Sequence, residues 1–287
     1  MQNNKIYTYM KLIHSFYAKN DMSMYGLFLQ VACYTLSCLY AKRAGLEIEL
    51  HCNSKAYEYF KYIPYDNIII DLDNIKDDLQ IPDPFYAFTK FIVMKDQPLG
   101  TIHIDGDVFL INENFKELLN FDNYDVITQS IENPSNGYGY LWKESSKCFD
   151  NCEYPEWAKR ACNSMYNCGV IGFNNQELKD YYFNTYWEMI NKYKNIKNIQ
   201  CDAVPDIIIE QQFLYDYCKY KNYSVKLLLD TEDIQGSAKR IKYSHLIGDY
   251  KRIHIDKVIK CIYKYNIKLY QKLKEIYYIS FPKYFEK

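Results

Sequence analysis

The sequence predicts an α/β fold in which a mostly parallel central sheet is flanked by helices. Stretches with strand-like and helix-like patterns alternate from the beginning of the 287-residue chain. Such alternation is typical of parallel strands joined by helical crossovers. The length suits one large α/β domain, and no internal repeat or low-complexity linker divides the sequence. We therefore expect a single domain over residues 1–287 with a doubly wound, nucleotide-binding type of architecture.

The first part of the chain supplies strands with apolar, β-branched runs and helices with apolar residues at helical spacing. The predicted strands are Ile6–Leu12, Leu46–Leu50, Asn67–Leu72 and Ile102–Ile104. The predicted helices are Met24–Ala41, Lys55–Lys61 with Ser54 as its N-cap, and Phe85–Lys95.

The second part of the chain continues the alternation. The predicted strands are Asp125–Thr128, Tyr166–Phe173 and Val225–Leu229. The predicted helices are Phe115–Leu119, Gln176–Lys192, a helix from Pro205 through Glu210–Tyr220, and Asp256–Glu275. A polar loop, Glu132–Asp150, is expected to fold over a site.

Composition excludes several classes of protein. A net charge of -1, with 48% hydrophobic and 25% charged residues, argues against a general nucleic-acid binder. The N-terminus lacks the pattern of a signal peptide and no run of about eighteen apolar residues occurs, so we expect a cytoplasmic protein. The ten cysteines predict reduced thiols, and Cys148, Cys152, Cys162 and Cys168 lack the paired spacing of a structural zinc site.

The stretch GTIHIDGDVFLI places Asp105 and Asp107 on either side of Gly106, where a buried strand ends. In open α/β sheets, ligands bind outside the carboxyl ends of the strands. Carboxylate oxygens there can hold Mg²⁺ or Mn²⁺, and the glycine permits close approach of a ligand. The alternative is a tight β-hairpin with Asp105 and Gly106 in its turn and no metal, because Asp-Gly is also a strong hairpin signal.

A second group of polar residues lies in the segment HLIGDYK, where His245, Gly248 and Lys251 share one predicted loop. An imidazole can join carboxylates around Mn²⁺, a glycine admits phosphate oxygens to the backbone, and a lysine neutralises a departing diphosphate. Taken alone, the same three residues fit an ordinary surface loop better, because His, Gly and Lys are all common in such loops.

The order of these motifs along the chain is similar to the order found in one known protein family. An apolar strand that ends in Asp-x-Asp is followed by an Asn-x-Gly-Val strand at 167–170, an acid-Gln pair at 210–211 and a final His-x-x-Gly-x-x-Lys. This combination resembles the GT-A-fold, nucleotide-sugar-dependent glycosyltransferases. In motif order it is nearest to the retaining galactosyl/glucosyl group that includes bacterial lipopolysaccharide transferases and glycogenin. The resemblance covers roughly Lys90 to Arg252, and its specificity lies in the combination.

The resemblance implies a single Rossmann-like GT-A domain that transfers a hexose, with retention of stereochemistry, from a nucleoside-diphosphate sugar. We expect a UDP-sugar as donor and a saccharide or lipid-linked saccharide as acceptor, in cell-surface polysaccharide or lipopolysaccharide synthesis. The implied metal is Mn²⁺ or Mg²⁺, held by Asp105, Asp107 and His245.

Further site residues are implied by the same resemblance. The implied contacts to the donor and its diphosphate are Lys90, Asp105, Asn167, Gly169, Gly248 and Lys251. Glu210 and Gln211 fall where the family has the residue nearest the anomeric carbon. The chain departs from the family where Arg252 and Ile253 replace a Pro-Trp pair, and the early strand lacks an aspartate, so the base-binding residues stay unassigned.

Two other functions compete with this interpretation. Haloacid-dehalogenase-type phosphatases also place Asp-x-Asp after an apolar strand, and Asp230 with Asp233 could complete such a site. Their nucleophile strand normally lies near the N-terminus, whereas about a hundred residues precede Asp105 here. The other competitor is a non-catalytic GT-A-like binding module that has lost turnover.

The C-terminal segment, residues 251–287, is predicted to be basic, tyrosine-rich and helical. It carries ten Lys or Arg against three Asp or Glu. Such a segment could contact an anionic membrane, which would place the protein at the inner face of the cell membrane. The alternative is an amphipathic helix that packs on its own domain.

Overall fold

The computed structural model of the chain describes residues 10–75, 79, 81, 87–133, 158, 164–193 and 206–286. Several predicted features lie outside these described residues. They are the start of the first predicted strand at 6–9, the polar loop at 134–150, the helix start at Pro205, and Cys148, Cys152 and Cys162.

The strands have the following bounds. They are β1 (Lys11–Phe16), β2 (Glu47–Cys52), β3 (Asn67–Ile70), β4 (Ile102–Ile104), β5 (Val108–Leu110), β6 (Val126–Glu132), β7 (Met165–Phe173), β8 (Val225–Leu227) and β9 (Tyr243–His245).

The helices lie between these strands and after the last of them. They are α1 (Met24–Arg43), α2 (Ser54–Phe60), α3 (Phe88–Lys95), α4 (Phe115–Leu118), α5 (Gln176–Tyr193), α6 (Phe213–Lys221), α7 (Ile234–Ile241), α8 (Tyr250–Tyr265) and α9 (Ile267–Tyr277). A π-helical stretch, Ile207–Gln212, runs directly into α6, and a 3₁₀ turn, Pro282–Tyr284, follows α9.

The strands form a seven-stranded sheet with the order β3-β2-β1-β4-β7-β6-β8, and β5 pairs with β9 in a separate two-stranded sheet. The pairs β1–β2, β2–β3 and β6–β8 are parallel, whereas β6–β7 is antiparallel. The predicted fold class, α/β with a mostly parallel central sheet flanked by helices, is confirmed.

The chain falls into two compact units, and each is assembled from separate stretches of sequence. The first unit takes in Asn74–His103 and Leu119–Ile234. The second takes in Lys11–Asp73, Ile104–Leu118 and Gln235–Lys287. The prediction of one domain over residues 1–287 stays a prediction.

The core of the second unit is built on the parallel strands β1, β2 and β3 and on α1. The N-cap of α1 is Ser23, whose hydroxyl accepts a hydrogen bond from the Gly26 N–H at 3.0 Å. His14 on β1 is fully buried, and its two ring nitrogens lie 2.8 Å from the Tyr65 hydroxyl and 3.1 Å from the Ser37 hydroxyl. Burial lowers the pKa of His14 to about 3, so this imidazole is neutral near pH 7.

Helix α1 has a length and an apolar composition that would also suit a membrane span. Within the protein, 72% of the apolar stretch of this helix is buried. Core helices of soluble proteins share this length and composition, so the pattern alone is weak support for a span.

The C-terminal helices pack on their own unit. The buried face of α8 consists of Ile255, Val258, Ile259 and Ile262, and α8 packs against α1. An aromatic cluster surrounds Phe28 of α1, formed by Tyr277 at the end of α9 and by Phe281, Tyr284 and Phe285 after it. The apolar face of the C-terminal segment is therefore buried against its own unit, as expected for an amphipathic helix, and its lysines lie mainly on the exposed side.

The first unit has an aromatic core between α3, α5 and β7. Phe91 stacks on Tyr186 and on Tyr182, and Phe173 packs edge-on against Phe183. Large aromatic side chains bury much apolar surface per residue, and this cluster holds α3 against α5.

Several predicted boundaries were wrong for local reasons. Strand β1 extends to Phe16, because its parallel pairing with β2 continues to the last residue of both strands. The N-cap of α2 is Asn53 rather than Ser54, since the Asn53 side chain accepts the Ala56 N–H. The single helix predicted for Asp256–Glu275 is two helices that meet at Asn266, whose side chain caps the second.

Candidate functional site

The turn after β4 directs the acidic pair away from the large sheet. The Val108 N–H donates to the carbonyl oxygen of Asp105 at 2.9 Å, which closes the turn. The chain then enters β5, which pairs with β9 and not with β4. The hairpin interpretation of Asp105 and Gly106 is therefore wrong, because the strands on either side of the turn belong to different sheets.

The pairing of β5 with β9 brings Asp107 to His245. Val108 lies opposite His245 in the antiparallel register, and the Leu246 N–H donates to the Asp107 carbonyl oxygen at 3.0 Å. Two short strands thus carry residues that are far apart in sequence to one place.

The side chains of Asp105, Asp107 and His245 form a compact group. Each offers one ligand atom, and these atoms lie within 4.8 Å of one another. His245 Nε2 is 3.3 Å from Asp107 Oδ1, and Lys251 Nζ is 2.8 Å from Asp107 Oδ2. Asp107 is buried, whereas Asp105, His245 and Lys251 are half-buried. The structure therefore brings together four of the residues that the motifs singled out.

The charges in this group stabilise one another. Burial alone would raise the pKa of Asp107, but His245 and Lys251 outweigh it and hold that pKa well below its usual range. Burial alone would lower the pKa of Lys251, but the Asp107 carboxylate outweighs it and raises that pKa. A carboxylate and an ammonium ion therefore lie side by side across the physiological pH range.

Gly106 is required by the packing beneath the turn. A Cβ atom at this position would lie 1.9 Å from a ring carbon of Tyr34, which is far inside van der Waals contact. The Tyr34 ring is fixed in turn, because its hydroxyl donates to the Ser15 carbonyl oxygen at 2.7 Å. The aromatic ring of α1 therefore supports the backbone between the two aspartates.

The His-x-x-Gly-x-x-Lys segment spans three kinds of structure rather than one loop. His245 ends β9, Gly248 lies in the following turn with a φ of 58°, and Lys251 lies in the first turn of α8. A positive φ favours glycine, and here it allows the chain to turn from the strand into the helix.

The donor set fits a divalent cation. Two carboxylates supply the oxygen ligands that Mg²⁺ and Mn²⁺ prefer, and an imidazole is a ligand that Mn²⁺ accepts beside oxygen. Because His245 and Asp107 are already within 3.3 Å of each other, little rearrangement is needed for both to reach one ion. The chemistry of these side chains therefore suits the metal that the resemblance implies.

A second cluster of predicted residues lies in the first unit. Lys90 Nζ forms an ion pair with Glu210 Oε1 at 2.6 Å and donates to the Cys168 carbonyl oxygen at 2.9 Å. Both charged side chains are 6% exposed, so the pair is buried. Glu210 lies in the π-helical stretch, where Gln211 is half-buried. Lys90 therefore holds the π-helical stretch and β7 together, which sequence reasoning did not anticipate.

Asn167 and Gly169 lie two residues apart on one buried strand, β7. The Asn167 amide donates to Glu132 Oε1 at 2.6 Å, and its oxygen accepts the Gly169 N–H at 2.9 Å. Sequence reasoning singled out both residues but missed Glu132 as a partner, because no local pattern links β6 to β7 at this point.

A protein-family model matches residues 10–287, almost the whole chain. The chain belongs to DUF6734, a family of unknown function. No curated protein matches the sequence.

Several solved structures are similar to the chain at low sequence identity. Mouse xyloside xylosyltransferase 1 in its apo form is 15% identical, with 77% of this chain and 84% of that chain covered and a TM-score of 0.40. The galactosyltransferase LgtC, in complex with donor and acceptor sugar analogues, is 14% identical, with 69% of each chain covered and a TM-score of 0.41. The PaToxG glycosyltransferase is 11% identical, with 93% and 87% covered and a TM-score of 0.38. All three of these solved structures carry the name of a glycosyltransferase.

Replacing Gly106 by alanine is expected to abolish cation binding at the acidic pair. The new methyl group would collide with Tyr34, and overpacking of this kind costs about 1–3 kcal/mol or forces the backbone to move. Mn²⁺ titration of the folded variant measures the effect. Gly26→Ala is the comparison, because its Cβ would meet the Ser23 hydroxyl at 3.2 Å, a conflict that a shift of a few tenths of an ångström relieves. Normal Mn²⁺ affinity in Gly106→Ala would show that the turn does not depend on this contact.

Replacing Lys90 by methionine is expected to lower the free energy of unfolding by about 3–5 kcal/mol, because it leaves the buried carboxylate of Glu210 without its counter-charge. Combining Lys90→Met with Glu210→Leu should recover much of this loss, since no isolated charge remains buried. Urea denaturation measures both. Lys272→Met, which breaks an exposed pair with Glu275, is the control and should change little. Additive losses in the double variant would contradict an ion pair.

Proposed function

We propose that this DUF6734 protein is a metal-dependent glycosyltransferase that moves a sugar from a nucleoside-diphosphate sugar to a hydroxyl acceptor. The observation that carries the proposal is the convergence of Asp105, Asp107 and His245, with Lys251 on the same carboxylate. A divalent cation and an ammonium ion at one point are what a leaving diphosphate requires, because negative charge accumulates on its oxygens as the sugar departs.

Asp105, Asp107 and His245 would hold the divalent ion, Mn²⁺ or Mg²⁺. When bound, the ion would act as a Lewis acid that stabilises the diphosphate leaving group. Burial of Asp107 excludes water from this carboxylate, so its interaction with a cation is stronger than it would be at an exposed site.

Lys251 and the beginning of α8 would bind the diphosphate. The first N–H groups of a helix point at an anion, and the helix dipole favours negative charge there. Gly248 lies in the turn just before these groups, is exposed and has no side chain to hinder a phosphate oxygen. We expect a UDP-sugar as the donor.

In the reaction, the bond between the anomeric carbon and the diphosphate oxygen breaks, and its electron pair leaves with the nucleoside diphosphate. The acceptor hydroxyl forms the new bond to the anomeric carbon and passes its proton to an oxygen of the departing diphosphate. We propose retention of stereochemistry, with Glu210 and Gln211 as the residues that stabilise the positively charged sugar, and Asn167, Gly169 and Lys90 as donor contacts. Lys90 would act on Glu210 by fixing its carboxylate, given their 2.6 Å ion pair.

The acceptor is proposed to be a saccharide or a lipid-linked saccharide of cell-surface polysaccharide or lipopolysaccharide. The exposed lysines of α8 and α9 would suit peripheral contact with an anionic membrane where such acceptors reside. A cytoplasmic protein at the inner face of the cell membrane is part of this proposal.

Removal of the Asp107 charge is the test of the proposed function. Release of nucleoside diphosphate from a panel of UDP-sugars should depend on Mn²⁺, and Asp107→Asn should lower it by about 100-fold or more, because the leaving group loses its stabilisation.

Asp230→Asn is the matched control, and it also distinguishes a transferase from a phosphatase. A transferase should keep its activity in this variant, whereas a phosphatase that uses Asp230 should lose hydrolysis of simple phosphate esters. Sugar-nucleotide turnover that persists in Asp107→Asn, or that needs no divalent ion, would reject the proposal.

A further inference from the structure

The carboxylate of Asp107 is shared by two partners that arrive on one segment. Its Oδ1 atom faces His245 Nε2 at 3.3 Å, and its Oδ2 atom faces Lys251 Nζ at 2.8 Å. His245 ends β9 and Lys251 lies in the first turn of α8, so the two side chains flank this carboxylate from the same connection. Asp107 is therefore the counter-ion of a lysine, and in the proposed function it would also be a cation ligand.

The position of Lys251 makes it a competitor for a divalent cation. An ammonium ion 2.8 Å from Oδ2 neutralises the carboxylate charge that a metal ion would use. A metal ion bound to the same carboxylate would also lie within a few ångströms of the ammonium ion, and like charges at such distances repel strongly in a partly buried site. Lys251 therefore opposes metal binding while it stays on Asp107.

A bound diphosphate would reverse the effect of Lys251, from opposing metal binding to favouring it. The side chain of Lys251 is 19% exposed, so its ammonium group can reach a ligand outside the buried carboxylate. Diphosphate oxygens offer it a new counter-charge and at the same time offer oxygen ligands to the metal ion. With the ammonium ion drawn to the phosphate, Asp107 is left to the metal ion.

We propose that Lys251 couples the binding of the divalent ion to the binding of the diphosphate. It weakens binding of the ion alone and strengthens binding of the ion once a diphosphate is present. The ligands are those of the proposed function, on which this inference rests. The consequence is a site that accepts the metal ion and the nucleotide together and holds either one alone weakly. By thermodynamic linkage, each ligand must raise the affinity for the other by the same factor.

Replacing Lys251 by methionine tests the coupling. Mn²⁺ is titrated into the full chain by calorimetry, first alone and then with saturating UDP. Lys251→Met should bind Mn²⁺ alone about tenfold more tightly than the unaltered chain does, because the competing charge is gone. The gain in Mn²⁺ affinity that UDP brings should shrink by about the same factor. Lys251→Gln keeps a polar side chain but also removes the charge. It should likewise raise the affinity for Mn²⁺ alone and reduce the gain that UDP brings.

Lys257→Met is the matched control, because Lys257 is an exposed lysine on the same helix. It should leave both Mn²⁺ affinities unchanged. Thermal melting without ligands establishes that each variant is folded.

The results separate this inference from the proposed function. If Asp107→Asn abolishes Mn²⁺ binding but Lys251→Met leaves it unchanged or weakens it, the coupling alone is overturned and the proposed function stands. Mn²⁺ binding that is absent from the unaltered chain with and without UDP would overturn the proposed function and the coupling together.

Discussion

The interaction on which the candidate site depends is the buried carboxylate of Asp107 between the imidazole of His245 and the ammonium group of Lys251. A buried carboxylate without such partners would be costly. The surrounding structure serves this arrangement: β5 and β9 align the residues, and Gly106 over the ring of Tyr34 fixes the turn. The carboxylate between these two partners is also one of the three groups whose ligand atoms lie within 4.8 Å of one another.

Much of the fold could be predicted from the sequence because local patterns are strong there. The alternation of β-branched runs with apolar residues at helical spacing predicts the α/β class. The predicted bounds of helix α1 and strand β7 lie within a few residues of the observed ones. The acidic pair and the His-x-x-Gly-x-x-Lys segment were found by residue type and spacing. Their meeting, however, was implied by the resemblance and not by either motif alone.

The rest could not be predicted, because it depends on contacts between distant segments. Strands β5 and β9 have three residues each, too few to show a periodicity, and only their pairing with each other defines them as strands. The ion pair of Lys90 with Glu210 joins residues that are far apart in sequence, and a lysine in an apolar helix reads equally well as a ligand contact. The break between α8 and α9 follows from the capping side chain of Asn266 inside a continuous helical pattern.

The most direct test of the account is a crystal structure of the chain with Mn²⁺ and UDP, with the metal ion located by its anomalous scattering. The account predicts one strong peak within about 2.5 Å of a carboxylate oxygen of Asp105, a carboxylate oxygen of Asp107 and a ring nitrogen of His245, with Lys251 turned toward the diphosphate. A peak elsewhere, or UDP bound without any ion at these residues, would contradict it.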